Sequence, residues 1–162
     1  MQPAPIETPV RTIIHDWVDY NGHLNMAYYS LLFDQALDSV FTRLELDEDY
    51  LRTGGGSAFT LEAHITYLQE LLENDPVRIT FQILDWDDKR MHYFEHMYHA
   101  EKGYLAATSE QMSIHVDMTT RRASPYPKNI KERIAAMAKT HASLPRPEQA
   151  GHVIGIKRKS PA

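Results

Sequence analysis

The chain has 162 residues, a formal net charge of −5 and no cysteine. That length supports one domain with a real core, and the acidic balance, with no basic stripe to offset it, argues against a nucleic-acid partner. The lack of cysteine excludes disulfides, thiolate metal sites and cysteine nucleophiles, and none of the nine histidines falls in a His-Glu-x-x-His spacing.

The N-terminal Met-Gln-Pro-Ala-Pro lacks the charged and apolar regions of a signal peptide, and no apolar run approaches the ~20 residues that span a bilayer. A cytoplasmic protein without a membrane partner is the expectation. Residues 1–8 are Pro-rich and read as a flexible N-terminus, and residues 9–144 as the folded domain. Val10, Ile13 and Ile14 give a strand-like run over Val10 to Trp17, which ends in an Asn21-Gly22 turn. From Asn25 to about Leu44, apolar residues including Met26, Tyr29, Leu32, Phe33, Ala36, Leu37, Val40 and Leu44 recur at helical spacing. Asp34 and Asp38 fall on the opposite side, so this long helix is amphipathic and large enough to centre a core.

Gly54, Gly55 and Gly56 break the chain, and the period then changes to two. Phe59, Leu61, Ala63, Ile65 and Tyr67 alternate with Thr60, Glu62, His64 and Thr66, predicting a half-buried strand. Val77, Ile79, Phe81 and Ile83 predict a second after the turn signal at residues 73–76, Met91 to Ala100 a third, and Tyr104 to Asp117 a fourth. Helical spacing returns over Asn129 to Ala142, and residues 145–162 read as a mobile tail. Consecutive strands joined by short turns are antiparallel, so the class is α+β. One apolar helix cannot cover both faces of such a sheet, which predicts a homo-oligomer.

The stretch from Trp17 to Met26 is the candidate for chemistry. Asp19 precedes the first free N–H groups of the long helix, and such groups hold anions and polarise carbonyls. Asp19 therefore reads either as a solvated loop acid beside a turn or as a base or nucleophile toward an acyl group.

Asp19-x-x-Gly22-His23-x-Asn25, the Tyr28-Tyr29 pair, and Val116-Asp117 followed by a basic turn and Pro125 and Pro127 resemble the hotdog-fold acyl-CoA thioesterases of the 4-hydroxybenzoyl-CoA thioesterase group, over roughly residues 9–127. The resemblance implies an antiparallel sheet wrapped round one long central helix, here with an added C-terminal helix. It also implies acyl-CoA thioester hydrolysis with no metal or cofactor, CoA being part of the substrate. Asp19 matches the catalytic carboxylate, as nucleophile or general base, and Met26 the residue whose backbone N–H polarises the carbonyl. His23 and Asn25 would support the turn and cap the helix. Many relatives carry a second acid where this chain has Trp17, which suggests a reshaped acyl pocket.

Two longer stretches, His15 to Asn25 and Ala106 to Asp117, are similar to the thioesterases of bacterial carnitine breakdown, which cleave betainyl-CoA to glycine betaine and CoA. A quaternary ammonium requires aromatic faces and a carboxylate. Glu62 supplies the candidate acid, and Trp17, Tyr20, Tyr28, Tyr67 and Trp86 the candidate aromatics. For the CoA phosphates the candidates are Lys89, Arg90, Arg121 and Arg122, with Lys157, Arg158 and Lys159 in the tail. Glu110 either borders the site or forms a structural pair with a histidine. Two other readings of the same resemblance are a hotdog-fold hydratase or dehydratase using His23 with Asp19, and a non-enzymatic acyl-CoA-binding protein.

Overall fold

A computed structural model describes residues 4–156 and 158. Two short strands, β1 (Ile6–Glu7) and β2 (Arg11–Thr12), precede a single 3-10 turn at His15–Trp17. The helices α1 (Met26–Leu44) and α2 (Glu48–Arg52) follow. Four long strands come next: β3 (Gly56–Tyr67), β4 (Pro76–Trp86), β5 (Arg90–His99) and β6 (Leu105–Asp117). The short β7 (Arg122–Ala123) and the helix α3 (Lys128–His141) complete the described elements. The main sheet order is β1-β4-β5-β6-β3, with β2 on β4 and β7 on β6, and every pairing is antiparallel.

The core explains this arrangement. Val77, Ile79, Phe81 and Ile83 of β4 and Met91, Tyr93 and Met97 of β5 are all buried on the face that meets α1. The helix answers with Tyr29, Leu32, Phe33 and Ala36 in its first half and Leu37, Val40 and Leu44 in its second. This is the expected hotdog architecture, an antiparallel sheet around a central helix. Ile130 and Ile134 of α3 extend the second half of the core, and His141 Nδ1 accepts the Ile83 N–H at 3.0 Å, closing an open stretch of the β4 edge. Among the described residues no helix is long and apolar enough to cross a membrane.

Several boundaries differ from the sequence expectation. Within the run from Val10 to Trp17 only Arg11–Thr12 is strand, because the chain turns after Ile13, which exchanges backbone hydrogen bonds with Asn74 and Asp75. In the N-terminus that reads as loose, Ile6 and Glu7 pair with Phe81 and Thr80. The segment after α3 runs along the outer face of the sheet: the Pro145 carbonyl accepts from Gln82 Nε2 at 3.3 Å, and the Gly151 N–H donates to Glu110 Oε2 at 2.6 Å.

The largest correction concerns β3. Its register against β6 shifts between Thr60 and Glu62, so Leu61 has no partner there. A bulge of this kind moves the side chains beyond it to the other face. Thr60 therefore shares the α1-facing side with Ala63, Ile65 and Tyr67, while Phe59 shares the outer side with Glu62 and His64. The strand forms an edge of the sheet, and Phe59, Leu61 and Tyr67 on it are exposed.

Candidate active site

The loop before α1 is built on backbone pairing. Val18 bridges to Leu24, the Asp19 N–H donates to the His23 carbonyl at 3.0 Å, and the Gly22 N–H donates to the Asp19 carbonyl at 2.9 Å. Gly22 takes φ +83°, a conformation that side chains other than hydrogen rarely adopt. Within this loop the Asn21 N–H donates to Asp19 Oδ1 at 2.8 Å, fixing one carboxylate oxygen. The Asn25 N–H donates to the Trp17 carbonyl at 2.9 Å, which delivers the chain to the helix start.

Asn25 is then the N-cap. Its Oδ1 accepts the Ala27 N–H at 3.0 Å, and its carbonyl accepts the Tyr28 N–H at 3.0 Å. That leaves the Met26 N–H, which meets no acceptor among the described residues. A free donor at the positive end of a 19-residue helix is a place for a developing oxyanion. His23 Nδ1 lies 3.2 Å from the Leu24 carbonyl, a supporting contact within the loop.

The opposite wall is the end of β3. The Leu24 N–H donates to the Leu71 carbonyl at 2.7 Å, and His23 bridges to Leu72, so the chain just beyond β3 is fastened to the loop. Between the two lies a groove of about 270 Å³, lined among others by His23, Met26, Tyr29, Tyr67 and Glu70. Tyr67 Oη stands 3.5 Å from the Met26 carbonyl, and its ring meets Tyr29 edge-on at 5.1 Å. Burial pushes the Tyr29 hydroxyl up to about 12, so it stays neutral as a donor. Trp17 stacks on Tyr28 at 5.9 Å beside this cluster, whereas Tyr20 is 98% exposed.

Within one chain the structure therefore brings His23, Met26 and Tyr67 to one groove, with Asp19 and Asn25 in the loop that leads into it and the Trp17–Tyr28 pair beside it. It does not bring Glu62 there. Glu62 lies on the outer face of the sheet, in a separate cavity of about 190 Å³ shared with His64, His92, Glu110 and His152. Glu110 there pairs with His92 at 2.7 Å, the structural alternative for that acid.

Trp86 pairs with Met91 at the far end of β4. Lys89 and Arg90 occupy the turn between β4 and β5, where Arg90 Nε binds Asp87 Oδ2 at 2.8 Å. Arg121 sits in the next turn at φ 56°, before Arg122 in β7. These basic residues lie at the Gly56 end of the sheet, about 35 Å along the strand from Tyr67. Lys157 and Lys159 lie outside the described residues. Sequence reasoning missed Glu70, which stands in an irregular connection, and named Tyr29 only as part of the Tyr28-Tyr29 pair, because it repeats as a core residue of α1.

Residues 14–134 match the model of the thioesterase-like superfamily. The chain is 40% identical over 150 residues to a betainyl-CoA thioesterase of Pseudomonas aeruginosa, covering 93% of this chain and 92% of that protein. It is 37% identical over 142 residues to an L-carnitine dehydrogenase/betainyl-CoA thioesterase of a Rhizobium species, 88% of this chain but only 28% of that longer protein. Its structure is similar to that of a hypothetical protein of Staphylococcus aureus in complex with CoA, with a TM-score of 0.89 at 31% identity over 97% of this chain and 98% of the other.

Proposed function

The chain belongs to the thioesterase-like superfamily, and from that premise we propose that it hydrolyses betainyl-CoA to glycine betaine and CoA. The observation that carries the chemistry is the unpaired Met26 N–H at the start of α1, next to the loop that presents Asp19. A thioester carbonyl oxygen seated on that N–H gains negative charge as its carbon is attacked, and the helix end stabilises the charge in a donor already in place.

Asp19 supplies the carboxylate. It either attacks the carbonyl carbon, giving an anhydride that water then opens, or takes a proton from an attacking water. In both routes the C–S bond breaks, one water is consumed to give the free acid, and its proton leaves with CoA as the thiol. Asn25 and His23 hold the helix start and the loop. No cofactor beyond the CoA of the substrate enters this scheme, and the site of action is the cytoplasm.

The assembly in this reading is a homodimer formed along the free edge of β3, where Phe59 is 42% and Leu61 58% exposed. Antiparallel pairing of two such edges sets the Tyr67 end of one strand beside the Gly56 end of the other. Lys89, Arg90 and Arg121, distant from Met26 within one chain, would then approach the site of the neighbouring copy, where CoA phosphates need cations. The nearly full-length likeness to a betainyl-CoA thioesterase supports this acyl group above others.

The deciding experiment is thiol release from betainyl-CoA, butyryl-CoA, a long-chain acyl-CoA and 4-hydroxybenzoyl-CoA. Preference for betainyl-CoA is the expected result. Preference for a neutral or aromatic thioester would keep the hydrolase and discard the substrate. No release from any of them, with hydration of an enoyl-CoA instead, would replace the hydrolase with the hydratase.

A further inference from the structure

We propose that Glu70, together with the ring of Tyr67, holds the quaternary ammonium of the acyl group, and so sets the enzyme's preference for a cationic substrate. This rests on the betainyl-CoA reading. The geometry starts from the helix. A carbonyl oxygen on the Met26 N–H leaves the ammonium nitrogen of a betainyl group only two bonds from the carbonyl carbon, so the cation must lie in the same groove. Tyr29, Tyr67 and Glu70 share that groove with Met26.

Glu70 is pinned in place by its backbone. Its carbonyl accepts the Tyr104 hydroxyl at 2.9 Å, and the following residue, Leu71, accepts the Leu24 N–H at 2.7 Å. Its carboxylate, by contrast, has no ion pair or hydrogen bond among the described residues. Among the described residues no lysine or arginine lines the groove. The negative charge of Glu70 is felt inside the cluster, where it adds to the rise in the Tyr29 and Tyr104 hydroxyls.

A free carboxylate beside exposed aromatic surface attracts a cation that donates no hydrogen bonds. Trimethylammonium is such a cation. Tyr67 is 44% exposed, so its ring is reachable from the groove. Glu62, the acid that sequence alone favours, opens onto the other side of the sheet and cannot reach this point in the same chain.

The test compares betainyl-CoA with 3,3-dimethylbutyryl-CoA, in which carbon replaces the charged nitrogen at nearly constant shape. In the wild type, kcat/KM should favour the cationic ester. In Glu70→Gln that ratio should fall about three- to tenfold, mostly through KM for betainyl-CoA. A ratio unchanged in Glu70→Gln, or lowered only in Glu62→Gln, would overturn the assignment while leaving the substrate intact. A wild type that cleaves the neutral ester but not betainyl-CoA would overturn the substrate reading and this assignment together.

Discussion

The Asn21 N–H donates to Asp19 Oδ1 at 2.8 Å, and Asp19 Oδ2 meets no partner among the described residues. One oxygen is thus held by the loop while the other is free to act. Asp19→Asn keeps an oxygen for the Asn21 N–H and removes the charge and basicity. Turnover of the preferred thioester should fall by roughly 10²- to 10⁴-fold with KM changed only a few-fold. Steady-state thiol release measures both. A near-normal kcat would remove Asp19 from the chemistry.

Asn25 links stability to the site, because its side chain caps α1 beside the Met26 N–H. Asn25→Ala leaves the Ala27 N–H without its acceptor and should cost about 1 kcal/mol, or roughly 2–4 °C in Tm for a chain of this size. Because the freed first turn also moves Met26, kcat should drop further than the stability loss alone predicts. Thermal unfolding and kinetics on the same preparation check this. A Tm loss with unaltered kcat would mean that the first turn does not hold the oxyanion.

The long helix and the strands β3 and β4 are readable because their apolar residues repeat at a fixed period, whereas β5 and β6 are read from the turns at Asp87-Asp88 and Lys102-Gly103 that bound them. The bulge at Leu61 is not legible, since Thr60-Leu61-Glu62 continues the alternation in sequence and only the pairing with β6 shows the slip. The turn at Asp19 and the cap at Asn25 are legible because both are local, formed within seven residues of each other. Glu70 depends on the backbone pairing of Leu24 with Leu71, which joins segments 47 residues apart and leaves no local trace. The same limit applies to Lys89, Arg90 and Arg121. Their charge is visible in the sequence, but their distance from Met26 follows from strand length and direction.

Leu61 tests the proposed dimer. It projects from an unpaired edge strand and is 58% exposed, so a charge there should damage an interface more than a monomer. Leu61→Asp should shift the protein to monomer in sedimentation equilibrium, with circular dichroism unchanged. If the CoA-binding cations come from the neighbouring copy, KM for the acyl-CoA should rise in step with dissociation. A variant that remains dimeric would place the interface elsewhere.

Glu95 gives a stability prediction with a definite sign. It is fully buried on the α1-facing side of β5, where Oε2 accepts from Gln111 Nε2 at 3.0 Å and Oε1 has no partner among the described residues. Burial first, then the nearby charge of Asp34, raises its carboxyl well above the ordinary 4.5, so it is protonated in the fold. The unfolded chain releases that proton above pH 4.5, which means that Glu95 favours folding fully below this pH and progressively less as pH rises toward the folded value. The loss is about 1.4 kcal/mol per pH unit across that window. Glu95→Gln is neutral in both states, so its Tm relative to wild type should climb as pH rises above 4.5, by roughly 2–4 °C for each kcal/mol. His96 and His141, lowered by burial, lose stability in the opposite direction as pH falls below 6.5, but they are common to both proteins and cancel in the difference. A difference in Tm that does not move with pH would mean that Glu95 is charged in the folded protein.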